Sequence, residues 1–319
     1  MSMCARRLAA AMLVVAMMPA WAEYPAKPIH LVVTFSAGGT ADLAARAIGE
    51  DLAERLGQTI VVDNRAGGDS AIGTEAVIKA APDGYTLLFG SPTGVCMVPA
   101  VRTPPPYDPV RDLTSVSMLG SFGFFLFTTP SLPVSTVGEL IEYARANPGK
   151  LNAGTANSIG ILVTALFVRA STLDIVTVPY KGEAQAVPDL VAGHIQLLFN
   201  PPGAATGFVR DGKLRVLATL LDARSPLFPE APTPTEAKLP TIPLFPFAGL
   251  FGPAGLPQPV VERLAREVAA TLASAKVRAK LDSFAFEGRS STPQQLATLV
   301  KEQVELWRTT AREVGLVQK

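Results

Sequence analysis

The chain is poor in cysteine and histidine, with two residues of each among 319. Cys4 falls in a segment predicted below to be removed, so Cys96 has no partner and no intrachain disulfide is expected. We expect Cys96 to be a small buried hydrophobe. His30 lies inside a predicted strand and His194 directly precedes another, so neither is expected to be catalytic. The spacing of these residues does not suit zinc, and the sequence predicts no metal and no cofactor.

The chain also has no large excess of positive or negative charge. The chain has 28 Lys and Arg against 27 Asp and Glu. Arg6 and Arg7 belong to the segment predicted to be removed, which leaves a net charge of about −1. Binding of nucleic acid requires a basic face against the phosphates, so this balance excludes nucleic acid as a partner.

Only one apolar run is long, and it lies near the amino terminus. Two arginines precede Leu8–Met18, Pro19 ends the run, and Ala20-Trp21-Ala22 supplies the small residues of a signal-peptidase site. This order predicts a signal peptide over residues 1–22, cleaved after Ala22, and a periplasmic protein. A transmembrane anchor needs about 20 apolar residues and this run has 11, so the anchor is rejected. A lipoprotein is disfavoured because no cysteine stands at the cleavage site.

The remaining chain alternates short apolar runs with amphipathic stretches, which is typical of α/β architecture. Strands are predicted at Ile29–Phe35, Thr59–Val62, Tyr85–Phe89, Phe124–Thr128, Leu151–Gly154, Ile175–Val178, Ile195–Phe199, Leu214–Thr219 and Phe247–Phe251. A helical pattern follows Thr40 and extends over Leu43–Leu56. Further helices are predicted at Thr74–Ala81, from Thr136, at Pro259–Ala275 and at Thr292–Glu313. Capping boxes mark the starts at Thr136 and Thr292.

The domain organisation follows from changes in composition. The composition of the chain changes near residue 123. Farther along, Ser225–Pro246 contains seven prolines, which predicts a surface connector without regular helix or central strand. We therefore expect one domain from residues 23–122 and 245–319 and a second from 123–244. Two chain crossings between them would form a hinge.

One loop between a predicted strand and helix has the features of an anion site. It contains Ser36, Ala37, Gly38, Gly39 and Thr40. Two glycines let the backbone approach a ligand, and a helix start offers unpaired N–H groups and a partial positive charge. Such a site needs no basic side chain. An ordinary turn, with Thr40 or Asp42 as the N-cap, remains the alternative.

Two more small, hydroxyl-rich segments follow predicted strands. Ser91 and Thr93 come after the strand that ends at Phe89, and Thr155, Asn157 and Ser158 come after the strand at Leu151–Gly154. Open α/β sheets bind ligands at the carboxyl ends of their strands. Two of the three loops fall in the first predicted domain and one in the second, which is consistent with a cleft between them.

Motifs of common enzymes are incomplete. Gly90–Gly94 has its serine one position too early for a nucleophile elbow. Gly207–Lys213 begins like a P-loop, but Leu214 replaces the hydroxyl residue that would bind magnesium. A nucleophile with an adjacent base is therefore not identified, and we do not expect an enzyme.

Motifs distributed along the whole mature chain carry a family resemblance. They are Tyr24–Ile29, Phe35–Asp42, Pro82–Leu88, Asn147–Asn152, Val178–Gly182, Gly212–Arg215, Arg224–Pro226 and Ser291–Pro293. In this order they resemble the Bug family of periplasmic solute-binding proteins, the receptors of tripartite tricarboxylate transporters. The resemblance implies a type II periplasmic-binding-protein fold that closes around di- and tricarboxylates, aromatic carboxylates, acidic amino acids or nicotinate-like acids. It also implies that Ser36–Thr40 holds a carboxylate, partly through water, with Thr155–Ser158 contributing from the other domain.

Two departures from the family pattern affect the expected ligand. A longer Gly/Ser-rich stretch of the family is shortened here to Ser158–Leu162. Asn200 stands where the family often has Asp, which could pair with an ammonium group, so Asn200 disfavours an amino acid ligand. We expect a monomeric receptor that delivers a small organic carboxylate to membrane transporter subunits. A receptor for a sensor partner stays open as the alternative, and a periplasmic hydrolase is a weaker one.

Overall fold

The computed structural model describes residues 24–239 and 245–316. The predicted signal peptide lies outside these residues. No helix within the described ranges is both long and apolar enough to cross a membrane. The described chain forms two β-sheets flanked by helices.

Eleven strands are present in the described residues. They are β1 (Ile29–Val33), β2 (Ile60–Asn64), β3 (Thr86–Gly90), β4 (Leu113–Phe122), β5 (Phe125–Thr128), β6 (Leu151–Thr155), β7 (Ile175–Pro179), β8 (Leu197–Asn200), β9 (Arg215–Thr219), β10 (Phe247–Pro253) and β11 (Phe286–Gly288).

Twelve α-helices accompany them in the same part of the chain. They are α1 (Thr40–Leu56), α2 (Ala71–Ile78), α3 (Val98–Val101), α4 (Pro109–Asp112), α5 (Val137–Ala146), α6 (Ser158–Ser171), α7 (Glu183–Ala192), α8 (Thr206–Arg210), α9 (Pro234–Ala237), α10 (Gln258–Ala273), α11 (Ala275–Asp282) and α12 (Pro293–Glu313). A π-helical turn, Thr93–Met97, precedes α3.

The first sheet has the order β11-β4-β10-β3-β1-β2, and the second has the order β7-β6-β8-β5-β9. We call the sheets with their helices the first and second lobes. In the first lobe β1 is parallel to both neighbours, β2 and β3. In the second lobe β6 is parallel to β7 and β8. Central strands such as β3 are almost wholly buried because helices cover the sheet, so they are apolar without strict alternation.

The chain passes between the lobes at two neighbouring places. It leaves the first lobe between β4 and β5 and returns before β10. These crossings touch, since the Phe122 N–H donates to the Pro246 carbonyl at 2.9 Å. All strands of the second sheet fall within the predicted range 123–244, while the domain limits themselves stay a prediction.

Some elements differ from the sequence prediction. β4 was not predicted because its serines and glycines interrupt the apolar pattern, and β11 has only three residues. The predicted helix Pro259–Ala275 is present as α10, and a further helix that was not predicted, α11, begins after Ser274. The proline-rich connector contains one helical turn, α9, which is possible because Pro234 occupies its first position and Thr233 caps it.

Each lobe has aromatic side chains in its core. Phe122 packs edge-to-face on Phe286 with ring centroids 5.1 Å apart, and Phe125 packs likewise on Phe228. Burial of one such side chain stabilises the fold by roughly 1.5–3 kcal/mol. Cys96 is fully buried, as predicted, and burial raises the pKa of its thiol. Both histidines are exposed.

The last helix generates a prediction about stability. The Thr292 side chain accepts from the Gln295 N–H, and the Gln295 side chain accepts from the Thr292 N–H, so the predicted capping box is present. We expect Thr292→Ala to lower the free energy of unfolding by about 1 kcal/mol, because one N–H of the first turn loses its partner. Urea denaturation measures this. Thr309→Ala, at an exposed position near the carboxyl end of the same helix, is the control and should not destabilise.

Candidate ligand-binding site

Four strands, two from each sheet, end at one cleft between the lobes. β1 leads into the loop at Phe35, β3 into Ser91, β6 into Ala156 and β8 into Pro201. The cleft contains a cavity of about 470 Å³ that is partly open to solvent. Its walls are formed by Phe35, Ser36, Gly39, Ala41, Ser91, Pro92, Thr93, Phe122, Phe124, Ala156, Asn157, Ser158, Ile159, Glu183, Asn200, Pro201 and Pro246. This is the position at which open α/β sheets bind ligands.

The start of α1 is held in place by Asp42. The N-cap is Gly39, without a side-chain hydrogen bond, so neither Thr40 nor Asp42 has the alternative capping role considered above. Instead the Asp42 carboxylate accepts from the Gly38 N–H at 2.9 Å and pairs with Arg46. Burial alone would raise the pKa of Asp42, but hydrogen bonds from Arg46, Gly38 and Asn64 outweigh it and lower this pKa. Asp42 therefore braces the loop as an anion and does not face the ligand.

The residue that contacts the α1 N-terminus is Glu183, the first residue of α7 in the other lobe. Its carboxyl group accepts from the Thr40 N–H, from the Asn200 side-chain amide at 2.7 Å and from the Ala204 N–H. A Cβ on Gly39 would lie 2.7 Å from the Glu183 side chain, so only glycine allows this approach. Glu183 thus fills the position where the sequence predicted an external anion.

Sequence reasoning did not identify Glu183. An acidic residue in the first turn of a helix is common, because it complements the helix dipole. The only available signal was the position of Glu183 directly after the family motif that ends at Gly182. Its pairing with a helix 143 residues earlier in the chain is a tertiary contact.

Further hydrogen bonds join the lobes beside Glu183. The Gly203 N–H donates to Thr40 Oγ1 at 2.8 Å. Thr93 Oγ1 donates to Ser158 Oγ at 3.0 Å and accepts from the Ser158 N–H at 3.1 Å. Thr93 and Ser158, predicted from separate loops, therefore meet across the cleft.

Two asparagines extend this network within the second lobe. Asn157 Oδ1 caps α6 by accepting from the Gly160 N–H at 2.8 Å. The Asn157 side-chain amide donates to Asn200 Oδ1 at 2.8 Å, and Asn200 in turn donates to Glu183. Asn200 is completely buried, so its amide is fixed by partners on both sides.

Ser91 differs from the other polar residues of the cleft. Its side chain is only 3% exposed and lines the cavity, yet within the described residues Ser91 Oγ has no hydrogen-bond partner. A buried hydroxyl without a partner costs free energy, which a ligand acceptor in the cavity would recover.

Not all predicted site residues line this cavity. Thr155 instead lines an adjoining cavity of about 670 Å³, which also includes Thr93 and Asn157. Ala37 and Gly38 are exposed and line neither cavity. Ile159 lines the first cavity and Ile161 the second, while Leu162 is buried in the core. Within the described residues, no group of three His, Cys, Asp or Glu side chains could hold a metal ion.

A family model described as tripartite tricarboxylate transporter family receptor, TctC, matches residues 44–316. The chain belongs to this receptor family. BugT of Bordetella pertussis is 35% identical to this receptor over 303 residues, which cover 92% of the chain and 90% of BugT.

Solved structures of this family resemble the receptor along nearly its full length. The periplasmic binding protein BugD is 29% identical with a TM-score of 0.88, covering 93% of the chain and 100% of BugD. R. palustris Rpa4515, solved with adipate, is 34% identical with a TM-score of 0.87 and covers 92% of the chain and 99% of Rpa4515. MatC of Rhodopseudomonas palustris, solved with bound malate, is 29% identical with a TM-score of 0.84 and covers 90% of the chain and 99% of MatC. The predicted Bug-family resemblance and periplasmic-binding-protein fold are confirmed.

The environment of Glu183 generates a prediction about pH. Burial raises the pKa of Glu183 to about 8, although its hydrogen bonds oppose the shift. The folded receptor therefore binds this proton more tightly than the unfolded chain, and the stability it contributes is lost as pH rises toward 8. Glu183→Gln cannot lose a proton, so its free energy of unfolding should increase relative to wild type between pH 5 and pH 8.5.

Urea denaturation of both proteins at the two pH values measures this difference. Glu142→Gln, on the exposed surface of α5, is the matched control. Its free energy of unfolding should differ from that of wild type by the same amount at both pH values. A Glu183→Gln difference that does not change with pH would contradict the raised pKa.

Proposed function

We propose that this receptor binds a small organic carboxylate in the cleft and presents it to the membrane subunits of a tripartite transporter. The supporting observation is the cavity between the lobes, in which hydroxyl groups from both sides converge. Ser36, Ser91 and Thr93 come from the first lobe, and Ser158 comes from the second. A solute that contacts both lobes favours their association, since it has a higher affinity for the closed state.

The solved relatives support the carboxylate as ligand class. Rpa4515 was solved with adipate and MatC with malate, and both match this chain over at least 90% of its length. In this receptor the hydroxyls of Ser36 and Ser91 line the cavity and provide donors for such a group. The ligand-binding roles of Ser36, Ser91, Thr93, Thr155, Asn157, Ser158 and Asn200 are part of this proposal.

The proposal includes no chemical step on the ligand. A hydrolytic mechanism needs a nucleophile within hydrogen-bond distance of a base. Thr93 and Ser158 contact each other, and no histidine lines the cavity. His194 pairs with Asp189 at 3.2 Å on the exposed surface of the second lobe. The predicted signal peptide over residues 1–22 is consistent with a receptor that works in the periplasm.

The first experiment is a thermal-shift screen of residues 23–319 against mono-, di-, tri- and aromatic carboxylates. A ligand that binds only the folded state stabilises it by about 2.7 kcal/mol at a hundredfold excess over its Kd. We expect a concentration-dependent rise of Tm with one carboxylate class and none with matched amides. The absence of a shift with every carboxylate would contradict the proposed ligand class.

Ser91→Ala tests the proposed site. We expect a five- to tenfold weaker Kd for the carboxylate, corresponding to about 1–1.5 kcal/mol for one lost hydrogen bond. Stability without ligand should not decrease, because Ser91 Oγ has no partner to lose in the described residues. Titration calorimetry and urea denaturation measure the two effects.

Thr128→Val is the matched control for Ser91→Ala. Thr128 is also fully buried, and its hydroxyl also has no partner in the described part of the chain, but it lines neither cavity. We expect ligand affinity to be unchanged in this variant. Equal affinity of Ser91→Ala and wild type would exclude Ser91 from the site.

A further inference from the structure

The α1 N-terminus is the strongest predicted anion site in the sequence, yet a side chain of the receptor itself occupies it. Glu183 reaches it from the second lobe, and its side chain is only 8% exposed. Three N–H donors surround the carboxyl group, from Thr40, Asn200 and Ala204. These donors and the positive end of α1 form a complete carboxylate-binding site.

We propose that Glu183 is a specificity-determining residue: its carboxyl group permanently fills one of two carboxylate positions in the cleft, so the receptor selects monocarboxylates with an apolar body. This inference rests on the proposed function, because it assigns the ligand class of the same cavity. The second position, at Ser91 and Ser36, remains for the carboxylate of the ligand.

The charges of the cavity support this assignment. Glu183 is the one ionisable side chain among the described residues that line it. A second ligand carboxylate near Glu183 would lie against another carboxyl group. Among the described residues, no lysine or arginine lines the cavity to pair with it. The desolvation of such a carboxylate would then remain uncompensated. Lys181 lines only the adjoining cavity and is exposed there, where solvent and salt screen its charge.

The remaining walls favour an apolar ligand body. Aromatic rings are contributed by Phe35, Phe122 and Phe124, and further apolar surface by Pro92, Ile159 and Pro246. Apolar walls with a few fixed polar groups are typical of sites for small organic molecules. An aliphatic chain or aromatic ring with one carboxylate can accept from the hydroxyls of Ser91 and Ser36 and pack against these apolar walls.

The test compares acids that differ only in the second carboxylate. Hexanoate is paired with adipate, and 4-methylbenzoate with terephthalate, in titration calorimetry of residues 23–319. We expect wild type to bind the monocarboxylate of at least one pair at least tenfold more tightly than its dicarboxylate partner, the ratio expected when one charged group lacks its hydrogen bonds. This comparison depends on no variant.

Removal of Glu183 should open the second position. In Glu183→Ala we expect the affinity for adipate or terephthalate to rise at least tenfold relative to wild type. Glu183→Gln keeps the position filled, so it should retain the preference for the monocarboxylate. The matched control is Glu142→Ala, which removes an exposed glutamate from α5 and should leave both affinities unchanged.

Chemical rescue provides an independent measurement if Glu183→Ala is unstable. Acetate should occupy the vacated site and raise the Tm of Glu183→Ala more than it raises the Tm of wild type or Glu142→Ala. An equal rise in all three proteins would overturn the proposal that this position binds carboxylates.

The possible failures can be told apart. Equal binding of mono- and dicarboxylates by wild type would overturn the role of Glu183 and leave the receptor function standing. The same holds if Glu183→Ala folds but does not gain dicarboxylate affinity. If wild type binds neither member of either pair, and no other carboxylate shifts its Tm, both the inference and the proposed ligand class are contradicted.

Discussion

The contact between Glu183 and the amino terminus of α1 is the interaction on which the cleft depends. It joins a helix of the first lobe to a helix of the second, and Asn200 and Asn157 connect it to the start of α6. A buried carboxyl group requires several hydrogen bonds to offset the loss of hydration. These requirements fix the positions of both helix ends, and the cavity has its present shape because those ends cannot move independently.

Close approach of the lobes depends on two small residues. A Cβ on Gly203 would lie 2.5 Å from Thr40 Oγ1, and a Cβ on Gly39 would lie 2.7 Å from Glu183. Any larger side chain at either position would push the helix starts apart. The interlobe hydrogen bonds use mostly backbone N–H groups and short hydroxyls, which are already oriented by secondary structure. Their formation therefore costs little side-chain conformational entropy.

In the proposed function, ligand binding would be coupled to movement at the two crossings between the lobes. The two crossings lie side by side at Phe122 and Pro246, and both residues also line the cavity. A ligand bound there would contact these crossings, both lobes and Ser91, whose hydroxyl has no partner in the described residues. Differential affinity for the closed arrangement is what a receptor needs to signal its loaded state to a membrane partner.

The sequence alone determined the α/β class, most strands, the N-caps of α5 and α12, the family and the loops that form the cleft. These features depend on local periodicity and turn chemistry, which can be recognised within short segments of the sequence. Strand β4 was missed because Ser and Gly residues obscure its pattern. Only the tertiary structure decided that Thr93 meets Ser158, that the Ser91 hydroxyl has no partner among the described residues, and that Glu183 fills the predicted anion site. The physical reason is that these contacts join residues distant in sequence, and a helix N-terminus attracts any nearby anion, whether it belongs to a ligand or to the protein itself.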